Sequence, residues 1–559
     1  MDVNLRVAGE AGQGVQTTGN LLVGALAGMG LHVFATQSYM SRIRGGLNWF
    51  DVRVADAPLF CGRETADVLV ALSDLARETL APHVAETGVA LFDADEAPEG
   101  VVALPCTRTA KEVGGAAVMA NAVAAGAVFA VLGYDLGGLL DHLARVFKKK
   151  KGDVVERNRA CAKAGADLAK GLKRLPAPKP AGDPVPIASG TEAVGLAAAT
   201  AGVKFCASYP MTPSTGVFTY LAGAADEYGI VVEQAEDEIA AVNMVCGAAY
   251  AGVPAMTTTS GGGFALMTEG LSLAGMLELP ILIMDSQRPG PATGLPTRTG
   301  QQDLRFVIAA GHGEFPRAVF APGTPEHAAI LTRRALETAH KFQSPAVLLL
   351  DQFLADLQTF TPPLDRDLRP IDRCLQASPP EGYVRYAPGE GGVSPRALPG
   401  SGPFVVLDSD EHTEDGHITE NLEARLRLQD KRMAKQAGML ADVVPPERYG
   451  PGEAGHLLVC WGSTYGPCRE AVDRLAAGGA SVAMLHFGQV WPLDGKAVRA
   501  WMGLEGETPP ARVTCVEGNQ TGQFAAVLRE IGALPHCDLL LRYDGMPFTG
   551  EEIAGRLDT

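Results

Sequence analysis

Paired cysteines are what this sequence lacks most plainly. Its 559 residues hold ten cysteines, at Cys61, Cys106, Cys161, Cys206, Cys246, Cys374, Cys460, Cys468, Cys515 and Cys537, with no C-x-x-C pair and no dense framework. A disulfide-stapled scaffold, a structural zinc site or an iron-sulfur cluster needs closer or patterned ligands, and even Cys460 and Cys468 fit no such pattern. The expectation is therefore no metal cluster in this chain, and reduced thiols in a cytoplasm. Basic residues are also in deficit. Lys plus Arg number 47 against 64 Asp plus Glu, a formal charge of −17 with a pI near 5.2, which argues against a sequence-independent grip on nucleic acid or an anionic membrane. The opening "MDVNLRVAGEAG" has an acid at Asp2 and no apolar h-region, so no targeting segment is expected. Long apolar runs are absent but for Val113–Tyr134, and that one is dominated by Ala and Gly and carries Asn121. Alanine gains little from lipid and packs closely against protein, so this run reads as a buried helix and not a membrane span.

What is present has ordinary globular composition, 47% hydrophobic and 20% charged. At roughly 150 residues per domain the length allows three or four domains. The first, residues 1–175, opens on a strand pattern, a glycine turn and a helical pattern, followed by strand-like runs at Val68–Leu72 and Gly88–Asp93. It closes on a charged helix beginning near Lys148–Lys151; that run reads either as a polyanion site or as a solvated helix terminus, and the second fits a charge run better. Residues 176–186, "PAPKPAGDPVP", are dense in proline and lack periodicity, as a linker should. Residues 187–360 alternate helical and strand-like patterns, the signature of a parallel sheet covered by helices. A polar, proline-rich connection spans 361–455 with one charged helical piece, and 456–559 repeats the α/β rhythm. The fold class is multidomain α/β.

Five constellations could carry chemistry. "GEAGQG", Gly9–Gly14, lies between a strand and a helix, where glycines let backbone amides approach a phosphate. Its G-x-x-G-x-G spacing is not the dinucleotide fingerprint, and a plain tight turn fits equally well. Nearby "RIRGG", Arg42–Gly46, suits an anion or a charged turn. "YPMTPST", Tyr209–Thr215, follows a strand; Pro210 and Pro213 bracket Thr212 and fix the backbone so that its hydroxyl can face a cleft at the carboxyl end of a parallel strand. Glu236, Asp237 and Glu238 precede a small-residue helix. They complement a helix N-terminus, or else Glu238 is buried against the apolar helix and exchanges a proton with a ligand nitrogen. "TTTSGGGFALMTEG" joins a strand to a helix through hydroxyls and glycines. "DSQRPGPATGLPTRTGQQDL", Asp285–Leu304, carries Arg288 and Arg298 in a long Gly-Pro loop, and arginine there can hold a carboxylate bidentately. His412 and His417, in "DEHTEDGH", could suggest a metal, but no helical pairing supports one and a structural or interface role is preferred.

The ordered series "YPMTPST", "EDEIAAVNMVCGAAYAG", "TSGGGFALMTEG", "ELPILI" and "GPATGLPTRTGQQDL" resembles the alpha subunit of the 2-oxoacid:ferredoxin oxidoreductases, which use thiamine diphosphate. "GEAGQGVQTTGNLL" and "SYMSRIRGG" are similar to the family's gamma domain, here fused ahead of alpha. "DSDEHTEDGHITEN" and "WGSTYGPCREAVDRL" resemble its connecting region and transketolase-C-like domain, and the "DEH" segment with the fusion points to the two-subunit 2-oxoglutarate type.

The resemblance implies oxidative decarboxylation of a 2-oxoacid, or the reverse carboxylation, with electrons passed singly through iron-sulfur clusters to ferredoxin and the acyl group passed to coenzyme A. It implies that Glu238 is catalytic and meets the aminopyrimidine nitrogen of thiamine diphosphate, that Tyr209 and Pro210 line the pyrimidine, and that Thr212, Arg288 and, as an extra candidate, Arg298 bind the substrate carboxylate. Gly12, Gln13, Gly14 and Arg44 would approach coenzyme A. No G-D-G with following asparagines, the magnesium and diphosphate motif of thiamine enzymes, and no cluster cysteines are found. Mg2+ and a [4Fe-4S] cluster are therefore expected in a separate beta subunit, in an (alpha-beta)2 assembly that binds neither nucleic acid nor membrane. The rival readings are the same family acting on pyruvate or branched-chain 2-oxoacids, a nicotinamide-dependent dehydrogenase, and a non-enzymatic coenzyme A-binding module.

Overall fold

The computed structural model describes residues 1–42, 45–150 and 152–557. They form two compact units, one of residues 1–188, 356–363 and 549–551, the other of the remainder. Three sheets run through them, of eight, seven and five strands.

The first unit is built on β1 (Asp2–Ala11), β2 (His32–Ser38), β3 (Gly45–Ala55), β4 (Ala66–Ala71), β5 (Val84–Phe92), β6 (Val102–Ala103) and β7 (Ile187–Ser189). The central β1 pairs antiparallel with β3, Leu5 opposite Val52, and parallel with β4, Leu5 opposite Val68. Its apolar residues are nearly all sealed, because a strand flanked on both sides and covered on both faces leaves no polar face. The Ala-Gly run becomes the helix Ala120–Val131, buried almost throughout, packed against the helix Val154–Leu168. Glycine sets that approach: a Cβ on Gly126 would lie 1.9 Å from the Ala162 carbonyl oxygen, and one on Gly165 1.9 Å from that of Val123. Among the described residues no single helix is long and apolar enough to cross a membrane; one bent pair, Cys106–Gly114 with Ala117–Val131, passes by length and composition but turns through 117°. Lys148, Lys149 and Lys150 are exposed, and Lys151 lies outside the described residues.

Two features depart from the segmentation read in the sequence. The proline-rich stretch at 176–186 is laced to the first unit, with Ala181 N donating to Gly30 O at 3.4 Å, Gly182 N to Met29 O at 2.9 Å and Val185 N to Ala27 O at 2.9 Å. The strand Gln358–Phe360, assigned by sequence to the second domain, pairs with β2 and joins the first sheet between β2 and β7. A three-residue strand carries too little periodicity to declare its sheet.

The second unit holds β8 (Phe205–Ser208), β9 (Val231–Gln234), β10 (Ala255–Thr259), β11 (Ile281–Gln287), β12 (Ala318–Phe320) and β13 (Ala346–Asp351). With β14 denoting Gln358–Phe360 and β15 Glu447–Tyr449, the remaining strands are β16 (His456–Trp461), β17 (Val482–Phe487), β18 (Gln489–Trp491), β19 (Arg512–Glu517) and β20 (Asp538–Leu541). The seven-stranded order is β18-β12-β13-β11-β10-β8-β9, parallel from β12 through β9, with β18 antiparallel at the edge. The five-stranded order is β15-β17-β16-β19-β20. In the connection, the charged piece forms the helix Leu422–Ala441, whose Lys431, Arg432 and Lys435 are buried. Lys431 Nζ and Lys435 Nζ lie 2.6 Å and 2.5 Å from the carboxylate oxygens of Glu278, which is itself only 1% exposed. His412 is buried and stacked on Tyr386 with ring centroids 3.9 Å apart, whereas His417 is exposed. Among the described residues no group of three His, Cys, Asp or Glu could hold a metal ion.

Candidate active site

The residues singled out in the second unit gather at one sheet end. β9, β8, β10 and β11 are neighbours in the sheet, and their carboxyl ends lead into Glu238, Tyr209–Thr215, Ser260–Gly263 and Arg288 respectively. Open parallel sheets bind ligands at this edge, where helix N-termini and loops converge.

The acidic triplet divides its positions between a cap and a burial, on adjacent residues. Asp237 caps the helix Glu238–Tyr250, accepting from Ala240 N at 2.7 Å. That frees Glu238 to turn inward, where it is 3% exposed and its Oε1 has no hydrogen-bond partner. A buried carboxylate oxygen without a partner costs about 1–3 kcal/mol, which structures tolerate where a ligand completes the site. The second glycine-rich turn makes room for it: a Cβ on Gly263 would sit 2.5 Å from Glu238 Oε1 and 2.2 Å from Thr259 Oγ1. Thr259 and Ser260 are sealed, and Ser260 Oγ is likewise unpartnered.

The loop after β8 starts from a hydroxyl clasp. Ser208 Oγ accepts from Thr258 N at 2.9 Å and lies 3.0 Å from Thr258 Oγ1, tying β8 to β10 just before Tyr209. Tyr209 is 40% exposed and Pro210 half-buried. Arg288 Nη1 donates to the Thr212 carbonyl at 2.7 Å, so Thr212 and Arg288 are brought together through the backbone and not through the Thr212 hydroxyl. Arg298 is not drawn into this contact. Its stretch of loop is fastened to the five-stranded-sheet domain, with Thr299 N donating to Gly545 O at 3.1 Å and Gln301 N to Gly518 O at 2.8 Å. Arg298 Cβ would stand 3.0 Å from a Cβ placed on Gly545.

Two acids missed in the sequence complete the geometry. Asp285, in β11, is fully buried with both carboxylate oxygens unpartnered, and burial, then the Asp303 charge, pushes it well up from the usual range. Asp303 is pushed up to about 6 by burial against the opposing pull of Arg288; its Oδ2 is also unpartnered and would meet a Cβ on Gly261 at 2.5 Å. An acid inside the apolar run "PILIMD" was the available sign for Asp285; Asp303 offered none, because its neighbours arrive from other strands. The contacts thus run from Glu238 through Gly263 and Gly261 to Asp303, Arg288 and Thr212.

In the first unit, Gly12 and Gly14 adopt φ of 93° and 81°, a left-handed backbone that glycine supplies without strain. Gln13 closes the turn on itself: its Oε1 accepts from Glu10 N at 2.6 Å and its Nε2 donates to Leu72 O at 3.0 Å. Around Gly12 a Cβ would meet nothing within 4 Å, whereas at Gly14 it would strike Asn121 Oδ1 at 2.3 Å. Arg44 lies outside the described residues.

Known proteins agree with this arrangement over the whole chain. Residues 4–168 match the family model described as pyruvate ferredoxin/flavodoxin oxidoreductase, and residues 196–431 that described as pyruvate flavodoxin/ferredoxin oxidoreductase, thiamine diP-bdg. Subunit alpha of 2-oxoacid:ferredoxin oxidoreductase 1 from Aeropyrum pernix is 32% identical, covering 100% of this chain and 97% of the relative. The chain belongs to the alpha subunits of the 2-oxoacid:ferredoxin oxidoreductases. Within that family it is 30% identical to the 2-oxoglutarate oxidoreductase subunit KorA of Mycobacterium tuberculosis, over 99% of this chain and 90% of the relative. It superposes with a TM-score of 0.91 and 34% identity on a 2-oxoglutarate:ferredoxin oxidoreductase from Magnetococcus marinus with 2-oxoglutarate, coenzyme A and succinyl-CoA bound, covering 100% of this chain and 99% of that one.

Proposed function

We propose that this chain is the gamma-alpha fused subunit of a cytoplasmic 2-oxoglutarate:ferredoxin oxidoreductase. The reaction converts 2-oxoglutarate, coenzyme A and two oxidised ferredoxins to succinyl-CoA, CO2, two reduced ferredoxins and a proton, or runs in reverse. The observation that carries it is Glu238, whose buried Oε1 is left unpartnered at a four-strand edge shared with the Arg288 guanidinium. The ten cysteines, none in a disulfide and eight of them buried, support a reducing compartment.

The donor set suits thiamine diphosphate: an orphaned, buried carboxylate oxygen packed against a glycine whose lack of a side chain admits it. Thiamine diphosphate supplies, when bound, a carbon nucleophile able to carry the electron pair released by decarboxylation. This chain's share is proton handling and orientation. Glu238 would hold a proton at its Oε1 for the aminopyrimidine nitrogen, and Tyr209 and Pro210 would line the pyrimidine. Arg288, fixed by the Thr212 carbonyl, presents its remaining N–H groups to a substrate carboxylate, and Arg298 serves as a further cation on the same loop. Gly12, Gln13 and Gly14 offer backbone amides at a helix N-terminus to a coenzyme A phosphate, with Arg44 as an added charge. Mg2+ and the [4Fe-4S] cluster belong to a beta subunit, in an (alpha-beta)2 assembly that hands electrons to ferredoxin.

The test is reconstitution with the beta chain and a comparison of kcat/KM across 2-oxoacids. A preference for 2-oxoglutarate over pyruvate of at least about tenfold is expected, equivalent to about 1.4 kcal/mol of differential binding. Preference for pyruvate or a branched-chain acid would overturn the substrate, and ferredoxin reduction by the isolated chain would overturn the shared site.

A further inference from the structure

The long loop that follows β11 is moored to the five-stranded sheet by one buried amide. Gln301, 2% exposed, is bonded at three atoms. Its backbone N donates to the Gly518 carbonyl at 2.8 Å, its Oε1 accepts from Gly518 N at 2.7 Å, and its Nε2 donates to the Trp461 carbonyl at 2.8 Å. Trp461 ends β16 and Gly518 follows β19, so a single residue spans the carboxyl ends of two neighbouring strands. A carboxamide suits this place because it carries an acceptor and a donor on one planar group; an ionised carboxylate lacks the donor, and lysine or arginine the acceptor. The backbone makes way for it: a Cβ on Gly462 would lie 2.7 Å from Gln301 Nε2, and one on Gly518 3.3 Å from its Oε1.

The two residues after Gln301 reach back to either side of Arg288. Gln302 Oε1 accepts from Gly290 N at 3.1 Å, and Asp303 N donates to Gln287 Oε1 at 3.0 Å. Gln523, which opens the helix Gln523–Glu530 of the same five-stranded-sheet domain, holds this stretch from outside: its Nε2 donates to the Gln302 carbonyl at 2.6 Å and its Oε1 accepts from Arg305 N at 3.0 Å. Arg288 thus stands between two hydrogen bonds made by the residues that Gln301 and Gln523 fasten, while its own Nη1 is committed to the Thr212 carbonyl at 2.7 Å. Placement of this kind matters to function, since a shift of about 1 Å in a binding group can cost roughly 10²-fold.

We propose that Gln301 is a positioning residue through which the five-stranded-sheet domain sets Arg288 for the substrate carboxylate. The inference rests on the role given to Arg288 in the proposed function and extends it to a domain that supplies none of the residues assigned there to cofactor or substrate. Gln301 acts through the loop and not on the reacting atoms. A guanidinium that grips the carboxylate both before and during the reaction contributes uniform binding, so its misplacement raises KM for the 2-oxoacid and leaves kcat in place. A residue that merely supports the fold would lower stability and spread its effect over both substrates.

The complex with the beta chain is assayed on whichever 2-oxoacid the wild type prefers, so a wrong substrate and a wrong role for Gln301 give different results. Gln301→Met, which keeps the length and removes donor and acceptor, is expected to raise KM for the 2-oxoacid at least about tenfold, with kcat and the KM for coenzyme A within about twofold of wild type. Gln301→Glu supplies the rescue: its neutral carboxyl has the acceptor and donor of the amide, so KM is expected near the wild-type value at acid pH and rising as the carboxyl ionises, a profile the wild type lacks. Leu540→Ala thins the core of the same sheet away from the loop and is expected to lower the unfolding midpoint without moving KM. In the folded chain alone, amide hydrogen exchange at Gly290 and Asp303 is expected to quicken in Gln301→Met. An unchanged KM in Gln301→Met, an equal rise in the KM for coenzyme A, a flat profile in Gln301→Glu or an equal rise in Leu540→Ala overturns the proposal, and so does unchanged exchange at Gly290 and Asp303.

Discussion

Glu238 and Glu278 are both sealed in the second unit, at 3% and 1% exposure, and are opposites in company. Glu278 is gripped by Lys431 and Lys435 and faces the charge of Arg385, which together hold its carboxyl down to about 2 against burial. One carboxylate serves several cations, so each lysine gains less: burial and the other lysine push Lys435 down to about 8 despite the ion pair. The local backbone is left-handed, φ 51°, a conformation of about 1–2 kcal/mol cost outside glycine that the surrounding ion cluster holds. Glu238 has no partner for its Oε1 and a glycine in front of it. Burial alone therefore does not mark a functional acid. The satisfied glutamate is tied into an ion cluster, and the unsatisfied one is the acid to which the proposed function gives a ligand.

Replacing each acid by its amide should split along that line. Glu238→Gln is expected to lower kcat of the reconstituted complex by about 10²–10⁴-fold, with the denaturation midpoint of the chain unchanged or raised; an active Glu238→Gln complex removes the contrast. Glu278→Gln strands Lys431, Lys435 and Arg385 without their anion and should cost about 3–5 kcal/mol of stability in denaturant titration. If its midpoint stays at the wild-type value, the cluster is not scaffold. The smallest effect is with acid. A carboxyl whose folded-state pKa is depressed stabilises the fold above its unfolded value, near 4.5, and ceases to do so as pH falls through about 2. Roughly 3 kcal/mol should be lost across that window, and Glu278→Gln should flatten the curve there.

Much of the site was legible before any coordinates. Tyr209, Glu238 and Arg288 follow strand-like runs, and in a parallel sheet every strand delivers its following residue to the same edge, so their convergence comes from local patterns repeated in order. What stayed hidden depended on contacts between distant segments. Asp303 matters because β11 and the Ser260–Gly263 turn come to it, and Glu278 because a helix legible only as a charged piece turns three basic residues inward. The charge pattern of "RLRLQDKRMAKQAG" resembles a surface helix, and only the buried anion opposite it shows otherwise. The two glycine turns looked alike in sequence. Gly12–Gly14 is braced by Gln13 and Asn121 from within the chain, whereas Gly263 lets an unpartnered acid pack against its backbone.

The strand Gln358–Phe360 has a consequence for how the protein is made. The first sheet ends on β2 until this strand arrives to pair with it, after the parallel strands β8 through β13 have been synthesised. At 5–20 residues per second a ribosome needs roughly ten to thirty seconds to deliver it. During that interval the edge of β2, with its unpaired backbone groups, is a template for strand addition by other chains. A nascent first unit thus carries an open strand edge by topology, however well packed its alanine-rich helix already is.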